Sequence, residues 1–271
     1  MSNVPAATRA LRVLRFLAAQ PEPVPVDRIA REVGIPRSTT YHLLTAMADE
    51  GFVVHLPDER RYGVGVAAFE VGSGYVRQEP LQRVARRPLA ALVDRVGQSA
   101  HLAVPHGRDV LYVIEERAPG RPPLVTDVGV RLPAHLTASG RAILADLPAA
   151  QVRALYPDRS AFIDRHGLGP DGPRALRSLL TDTRARGYAT EAGEITPGFA
   201  SVAVAVHDHN GHPVAAIAVT YPDSPGTGRP EGAAGAAGAA GPAQEIRETA
   251  EAVTRTARAI TARLRGAARP R

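Results

Sequence analysis

Three short stretches concentrate the side chains able to bind or react. The first, PRSTTYHLLTAMADEG at positions 36–51, carries two patterns at once. Thr40, Leu43, Leu44 and Met47 repeat at i, i+3, i+4, i+7, the spacing of a buried helical stripe. Ser38, Tyr41, His42 and Thr45 repeat the same way on the opposite face, which is polar and aromatic. Such a helix presents Arg37, Ser38, Thr39, Tyr41 and His42 from its N-terminal half. These types suit nucleic acid: an Arg fork for guanine or phosphate, hydroxyls for phosphates or base edges, Tyr and His for either. The plain alternative is a solvated face on a small helical bundle.

The second stretch, HLTASGRAILA at 135–145, has Thr137 as a helix cap. The N–H groups of Ala138, Ser139 and Gly140 would then be left unpaired. A helix N-terminus lined by small residues is a ready anion site, here a carboxylate pocket. An ordinary capped helix is the alternative. His135, Ser139 and Glu191 or Glu194 also supply the residue types of a hydrolase triad. No G-x-S-x-G turn surrounds Ser139, however, and the chain order fits no familiar triad, so no enzyme is expected. The third stretch, HDHNGH at 207–212, clusters His207, His209 and His212. Asn210-Gly211 already accounts for it as a hairpin tip, with His212 across the turn, so no metal site is expected. No motif calls for a cofactor.

The elements that must position these residues follow from spacing and breakers. Leu11, Leu14, Leu17 and Ala18 form the stripe of a first helix, which PEPVP at 21–25 ends. Val26, Ile29, Ala30 and Val33 form a second, closed by Gly34 as a left-handed cap. Three residues later Pro36 opens the third helix, where its missing N–H costs nothing. Phe52 and Val54 alternate, PDER turns, and Tyr62 and Val64 alternate: a β-hairpin with Arg60 and Arg61 near its turn. Helix, short turn, helix, hairpin is the order of a winged helix-turn-helix, whose second paired helix enters the major groove. Residues 66–76 continue as a connecting helix. A second unit starts near Leu81, with a helix carrying Val84, Leu89, Leu92 and Val93. SAHLAVPHGRDVLYVIEE gives two strands around a turn, 148–155 and 171–186 give helices, and 201–221 gives a hairpin. GTGRPEGAAGAAGAAGPAQ is a flexible low-complexity loop, and EIRETAEAVTRTARAITARLRG a closing helix.

Bulk properties narrow the function classes. The 271 residues are 44% hydrophobic and 22% charged, the balance of a globular protein with one or two domains. No run approaches the length of a membrane span, and the N-terminus lacks a secretory signal pattern. Cysteine is absent, which excludes disulfides, thiolate metal sites and a Cys nucleophile and fits a cytoplasmic setting. The net charge is +6, and all 33 basic residues are Arg. Residues 1–80 are nevertheless neutral, with nine Arg against nine Asp and Glu, so bulk charge permits nucleic-acid binding without showing it.

At this point the chain resembles, almost end to end, the IclR family of bacterial transcriptional regulators. The motifs are RALRVLRFLA, DRIAREVGIPRSTTYHLLTAMADEGFV and YGVGVAAFEVG, then VGVRLPAHLTASGRAILA, RARGYATEAGEITPGFASVAVAV and VAAIAVTYP. The resemblance implies a two-domain α+β chain: a winged helix-turn-helix over 1–65, a linker helix over 66–80, and a GAF-like α/β effector domain over 81–271. The 226–241 loop looks like an insertion. The resemblance further implies homodimers, often paired as tetramers, on a double-stranded DNA operator, with repression the expected sign. It implies a small, often carboxylate-bearing organic acid as effector. The implied pocket comprises Ala138, Ser139, Gly140, Glu191, Ser201 on the central strand, and Ala218 and Thr220 on its neighbour. The chain departs from the family in having Glu191 where Asp is common and Ala205 where Pro is common. A hydrolase centred on Ser139 and a metabolite-binding module without DNA function are the readings from other classes.

Overall fold

The computed structural model describes residues 4–78, 80–223 and 242–267; the loop expected at 226–241 lies outside them. The chain forms two compact units, Met1–Glu79 and Pro80–Arg271.

The first unit runs α1 (Pro5–Ala18), β1 (Val24–Pro25), α2 (Val26–Val33), α3 (Arg37–Asp49), β2 (Val53–Leu56), β3 (Arg61–Val64) and α4 (Val66–Gln78). Gly34 ends α2 with φ 70°. Nothing crowds that position, so its requirement is conformational, a left-handed residue that any Cβ would strain. Ile35 then drops into the core and Pro36 starts α3. Thr40, Leu44 and Met47 are buried and Leu43 half-buried, as their spacing predicts. Leu43, Leu44 and Met47 meet Val13, Leu17, Val26, Ile29 and Val53 in one apolar cluster.

Two stripes differ from expectation. In α1, Leu11 is 62% exposed while Val13 is fully buried. The inward face is centred on Ala10, Val13, Leu14 and Leu17, which repeat at i, i+3, i+4, i+7. Leu11 lies one residue, about 100°, off that line. In the hairpin, Val53 points inward and Val54 is exposed. Phe52 belongs to the turn after α3, which shifts the strand phase by one residue and reverses the faces. The breaker PEPVP also contains β1, a two-residue strand pairing with β3 through Val24 and Tyr62. Gly65 closes the hairpin because a Cβ there would lie 2.2 Å from the Gly51 carbonyl oxygen.

The second unit comprises α5 (Pro80–Val96), β4 (Ser99–His106), β5 (Asp109–Glu116), β6 (Arg131–Pro133), α6 (Ala138–Asp146), α7 (Ala149–Leu155), α8 (Pro173–Arg186), β7 (Ala189–Ala192), β8 (Phe199–His207), β9 (Pro213–Pro222) and α9 (Pro242–Ala267). The strands form one antiparallel sheet in the order β6-β5-β4-β9-β8-β7. β8 is therefore next to the edge; the central pair is β4 and β9, and Ser201 does not sit on the central strand. Side chains alternate across the sheet. Val206, Ile217 and Val219 face α5 and α9, whereas Ala103, Ala203, Ala205, Ala216 and Ala218 face α6 and α8. This alanine floor lets α6 lie close to the sheet, with every residue from Ala138 to Ala145 buried. Gly140 permits the approach on another side: a Cβ there would sit 2.2 Å from the Ala134 carbonyl oxygen. Among the described residues no helix is long and apolar enough to cross a membrane.

The α1 correction has a direct test. Val13→Ala trims a fully buried side chain of α1 and lowers unfolding free energy by about 1.5–3 kcal/mol. Leu11→Ala changes it by less than about 0.5 kcal/mol. Chemical denaturation of the two variants side by side distinguishes the faces.

Candidate functional site

The polar face of α3 stands clear of the first unit's core. Arg37, Ser38, Tyr41 and His42 are exposed and Thr39 is half-buried. Pro36 caps α3 without a side-chain hydrogen bond, so the first-turn N–H groups keep no intrahelical partner and the helix presents its positive end there. Arg37 pairs with Asp27 of α2 at 3.0 Å and lies over the Tyr41 ring at 5.7 Å from its centroid. Both partners of the ion pair are more than half exposed, so the pair is weak and a phosphate can displace it. The two hairpin arginines differ. Arg60 is exposed at the turn with φ 52°. Arg61 is half-buried, donates to the Pro23 carbonyl at 3.2 Å and lies 3.9 Å from Glu22 and from Glu59. It therefore ties the hairpin to β1 as well as facing outward.

In the second unit a cavity lies between the N-terminus of α6 and the sheet. Strand register assembles it. Glu191 pairs with Ser201, and Ser201 with Thr220. Two residues along on the same face, Ala189 pairs with Ala203, Ala203 with Ala218, and Ala218 with His101. A polar row thus lies beside a row of small side chains. The lining adds Tyr112, Leu124, Thr126, Thr137, Ala138, Ser139, Ile195, Thr196 and Phe199. The cavity volume is about 20 Å³. The cavity as it stands holds about one water, and an organic ligand must widen it.

Its polar groups are organised but incompletely satisfied. Ser201 Oγ donates to Glu191 Oε1 at 2.7 Å and lies 3.0 Å from Thr220 Oγ1. His101 Nε2 lies 2.8 Å from Thr126 Oγ1, and its ring meets Tyr112 edge-on. Three buried atoms have no hydrogen-bond partner: His101 Nδ1, Ser139 Oγ and Glu191 Oε2. Burial pushes the Glu191 carboxyl up to about 7; the Ser201 hydrogen bond opposes this and Glu194 adds to it. Burial pushes His101 down to about 4, with the Arg117 charge adding, so the ring is neutral near pH 7. Burial likewise raises the Tyr112 phenol, which remains a neutral donor.

Of the seven expected pocket residues, Ala138, Ser139, Glu191, Ser201, Ala218 and Thr220 line this cavity. Gly140 does not. Its N–H is taken by Thr137 Oγ1 at 2.9 Å, so Thr137 leaves only the first two N–H groups of α6 free, not three. Arg141 is the functional residue that spacing missed. It is 2% exposed, and donates to the carbonyls of His135 at 2.9 Å and Thr190 at 2.7 Å and to Glu194 at 2.8 Å. Glu194 in turn accepts from the Ala192 N–H. Arg141 thereby clamps β7, and Glu191 with it, to the start of α6. An Arg set in the otherwise apolar run of ASGRAILA was its only signal.

The triad and metal readings do not assemble. His135 packs against Tyr156 and Phe162, with Nε2 at 3.0 Å from the Ile163 carbonyl oxygen, and does not line the cavity with Ser139. Glu194 is committed to Arg141. His207 pairs with Asp146 at 2.9 Å, while Asp208 accepts the N–H groups of Asn210 and His212 to form the hairpin tip. Among the described residues no group of three His, Cys, Asp or Glu side chains can hold a metal.

Comparison with known proteins supplies the family. The family of the bacterial transcriptional regulator IclR C-terminal domain matches residues 73–255, and that of the IclR helix-turn-helix domain matches 6–57. The chain belongs to the IclR family of bacterial transcriptional regulators. The glycerol operon regulatory protein of Streptomyces coelicolor is 34% identical over 218 residues, covering 80% of this chain and 85% of that one. The transcriptional repressor IclR of Escherichia coli is 29% identical over 224 residues, 82% and 81% of the two chains. An IclR homolog from Microbacterium hydrocarbonoxydans, solved with 4-hydroxybenzoate, has the same fold: TM-score 0.76 at 23% identity, over 96% of this chain and 99% of that one. The chain is accordingly a DNA-binding transcriptional regulator and not an enzyme.

The buried Glu191 makes stability depend on pH. Its folded value near 7 lies above the ordinary 4.5, so the folded chain binds the extra proton and is most stable below pH 4.5 with respect to this group. That contribution is lost as pH rises from 4.5 through 7. Glu191→Gln removes the dependence. The stability of the variant relative to the parent therefore rises with pH, by up to the order of 3 kcal/mol at 1.36 kcal/mol per unit. Urea denaturation at a series of pH values checks it; parallel curves contradict it.

Proposed function

We propose that this regulator represses transcription from a double-stranded operator and responds to a small organic acid, probed by the cavity at the start of α6. The observation that carries the sensing part is the convergence of three partnerless buried polar atoms, on His101, Ser139 and Glu191, with the free first-turn N–H groups of α6. Buried polar atoms that the protein leaves unpaired call for another partner, and three of them here face one cavity. The N–H groups suit a carboxylate, and Ser139 and Ser201 suit its further oxygens.

In this reading residues 1–65 bind DNA, 66–80 link, and 81–271 sense the effector and hold the assembly, a homodimer or pair of dimers. Arg37, Ser38, Thr39, Tyr41 and His42 enter the major groove, and Arg60 and Arg61 grip backbone or minor groove. Half-sites would lie about 34 Å apart, one helical turn. The names of two relatives as repressors support repression, and a DNA-binding role fits a cytoplasmic setting. The effector acts through different affinities for two conformations of the protein.

Two measurements test the reading. Arg37→Ala and Tyr41→Ala each weaken operator binding, on the order of 10-fold or more, and Arg37→Ala lowers the salt slope by about one. If both leave operator affinity unchanged, the α3 face is not the reader. In thermal-shift screening of glycolate, pyruvate, benzoate, 4-hydroxybenzoate and succinate, at least one acid raises the melting temperature and shifts operator affinity. An acid that binds and leaves operator affinity untouched removes the sensing role.

A further inference from the structure

No Arg or Lys lines the α6 cavity among the described residues, and its one ionisable acid is Glu191, 6% exposed. The Arg141 guanidinium, whose charge reaches Glu191, is committed to two backbone carbonyls and Glu194. An effector carboxylate placed at the α6 N-terminus therefore shares a low-dielectric chamber with a second carboxyl group and no cationic side chain. Two carboxylates sharing one site do not both stay ionised. The geometry shows where the proton goes. Glu191 Oε1 accepts from Ser201 at 2.7 Å, whereas Oε2 is buried with no partner. An O–H at Oε2 gains a donor's role there, whereas the charged form is helped only by Ser201, the Ile195 backbone N–H and the more distant Arg141 charge, which burial outweighs.

We propose that Glu191 engages the effector as a carboxylic acid, donating from Oε2 to the effector's carboxylate, so that a small monocarboxylate binds together with one proton taken from solvent. The proposal rests on the carboxylate reading above. The groups around Glu191 leave no other proton acceptor. Ser201 on β8, Thr220 on β9 and Ser139 on α6 do not titrate. His101 on β4 stays neutral because burial holds its value near 4, and Tyr112 on β5 stays neutral because burial raises it. Glu194 pairs with Arg141 at 2.8 Å. Burial has already raised Glu191 to about 7, so the bound carboxylate needs only to complete its protonation.

Isothermal titration of the full chain with each of the five acids, between about pH 6 and about pH 9, tests this; the carboxyl groups of the four monoacids are ionised throughout. Two buffers of different ionisation enthalpy report protons taken up. For the binding acid, affinity falls up to roughly 10-fold per pH unit above about pH 7, with uptake near one proton. Glu191→Gln keeps a donor, and its affinity becomes independent of pH with no uptake. Succinate, carrying a second charge, binds more weakly than the best monoacid. A monocarboxylate that binds without uptake and without pH dependence overturns the proposal and leaves the carboxylate reading standing. Uptake that persists in Glu191→Gln overturns the assignment to Glu191. No binding by any of the five at any pH overturns the carboxylate reading and this proposal together.

Discussion

The close approach of α6 to the sheet is the constraint on which the second unit depends. A helix can lie that near only over small side chains, and the sheet offers Ala203, Ala205, Ala216 and Ala218 beneath it. On its other side Gly140 meets the Ala134 backbone. Close packing excludes water from the helix N-terminus, and exclusion gives its N–H groups and the Glu191–Ser201–Thr220 row their electrostatic force. The same exclusion raises Glu191 and lowers His101. Replacing the alanine floor by larger residues would lift α6, admit solvent and erase these shifts together. The site's chemistry is thus a consequence of packing, with Arg141 tying the helix to the edge strand.

The two candidate sites use opposite physics. The α3 face is exposed, and its one ion pair, Arg37 with Asp27, lies in water where it contributes little. That suits a surface meeting a polyanion, because its groups give up few protein contacts on binding. The cavity is buried, and each unpaired polar atom in it is costly until something pairs with it. Discrimination in the first case comes from shape and donor pattern across a groove; in the second it comes from the penalty of leaving buried groups unmet.

Much of the fold was legible because its signals are local. The stripe of α3, Gly34, the hairpin turn at Asn210-Gly211 and the cap at Thr137 all lie within a few residues of what they determine. Errors arose where the phase of a pattern depended on something else. Leu11 and Val13 both fit an apolar helix, and only packing against α2 and α3 selects Val13. β1 lies between prolines and is too short to have a period. The cavity was half legible. Glu191, Ser201, Ala218 and Thr220 came with motifs that resemble a family, but His101 and Tyr112 enter through β4 pairing with β9, far along the chain, where spacing carries no information. Gly140 was misplaced for a local reason: a Thr cap satisfies the N–H three residues on, which removes that donor from any ligand.

The cavity's small size bears on how binding could change conformation. Its walls are unequal. β4 and β9 each have a strand on both sides, and His101 and Ala218 cannot move without breaking the centre of the sheet. β7 is a four-residue edge strand paired on one side only. It carries Glu191 and leads into Ile195, Thr196 and Phe199, which also line the cavity. Widening for the proposed organic acid therefore falls on this edge, where fewest backbone hydrogen bonds are at stake. The Arg141–Glu194 pair and the Arg141 bond to the Thr190 carbonyl hold that same edge closed. An effector gains its contacts in the widened form and the clamp favours the narrow one. In the proposed reading, the difference in affinity that a switch requires arises between β7 and α6.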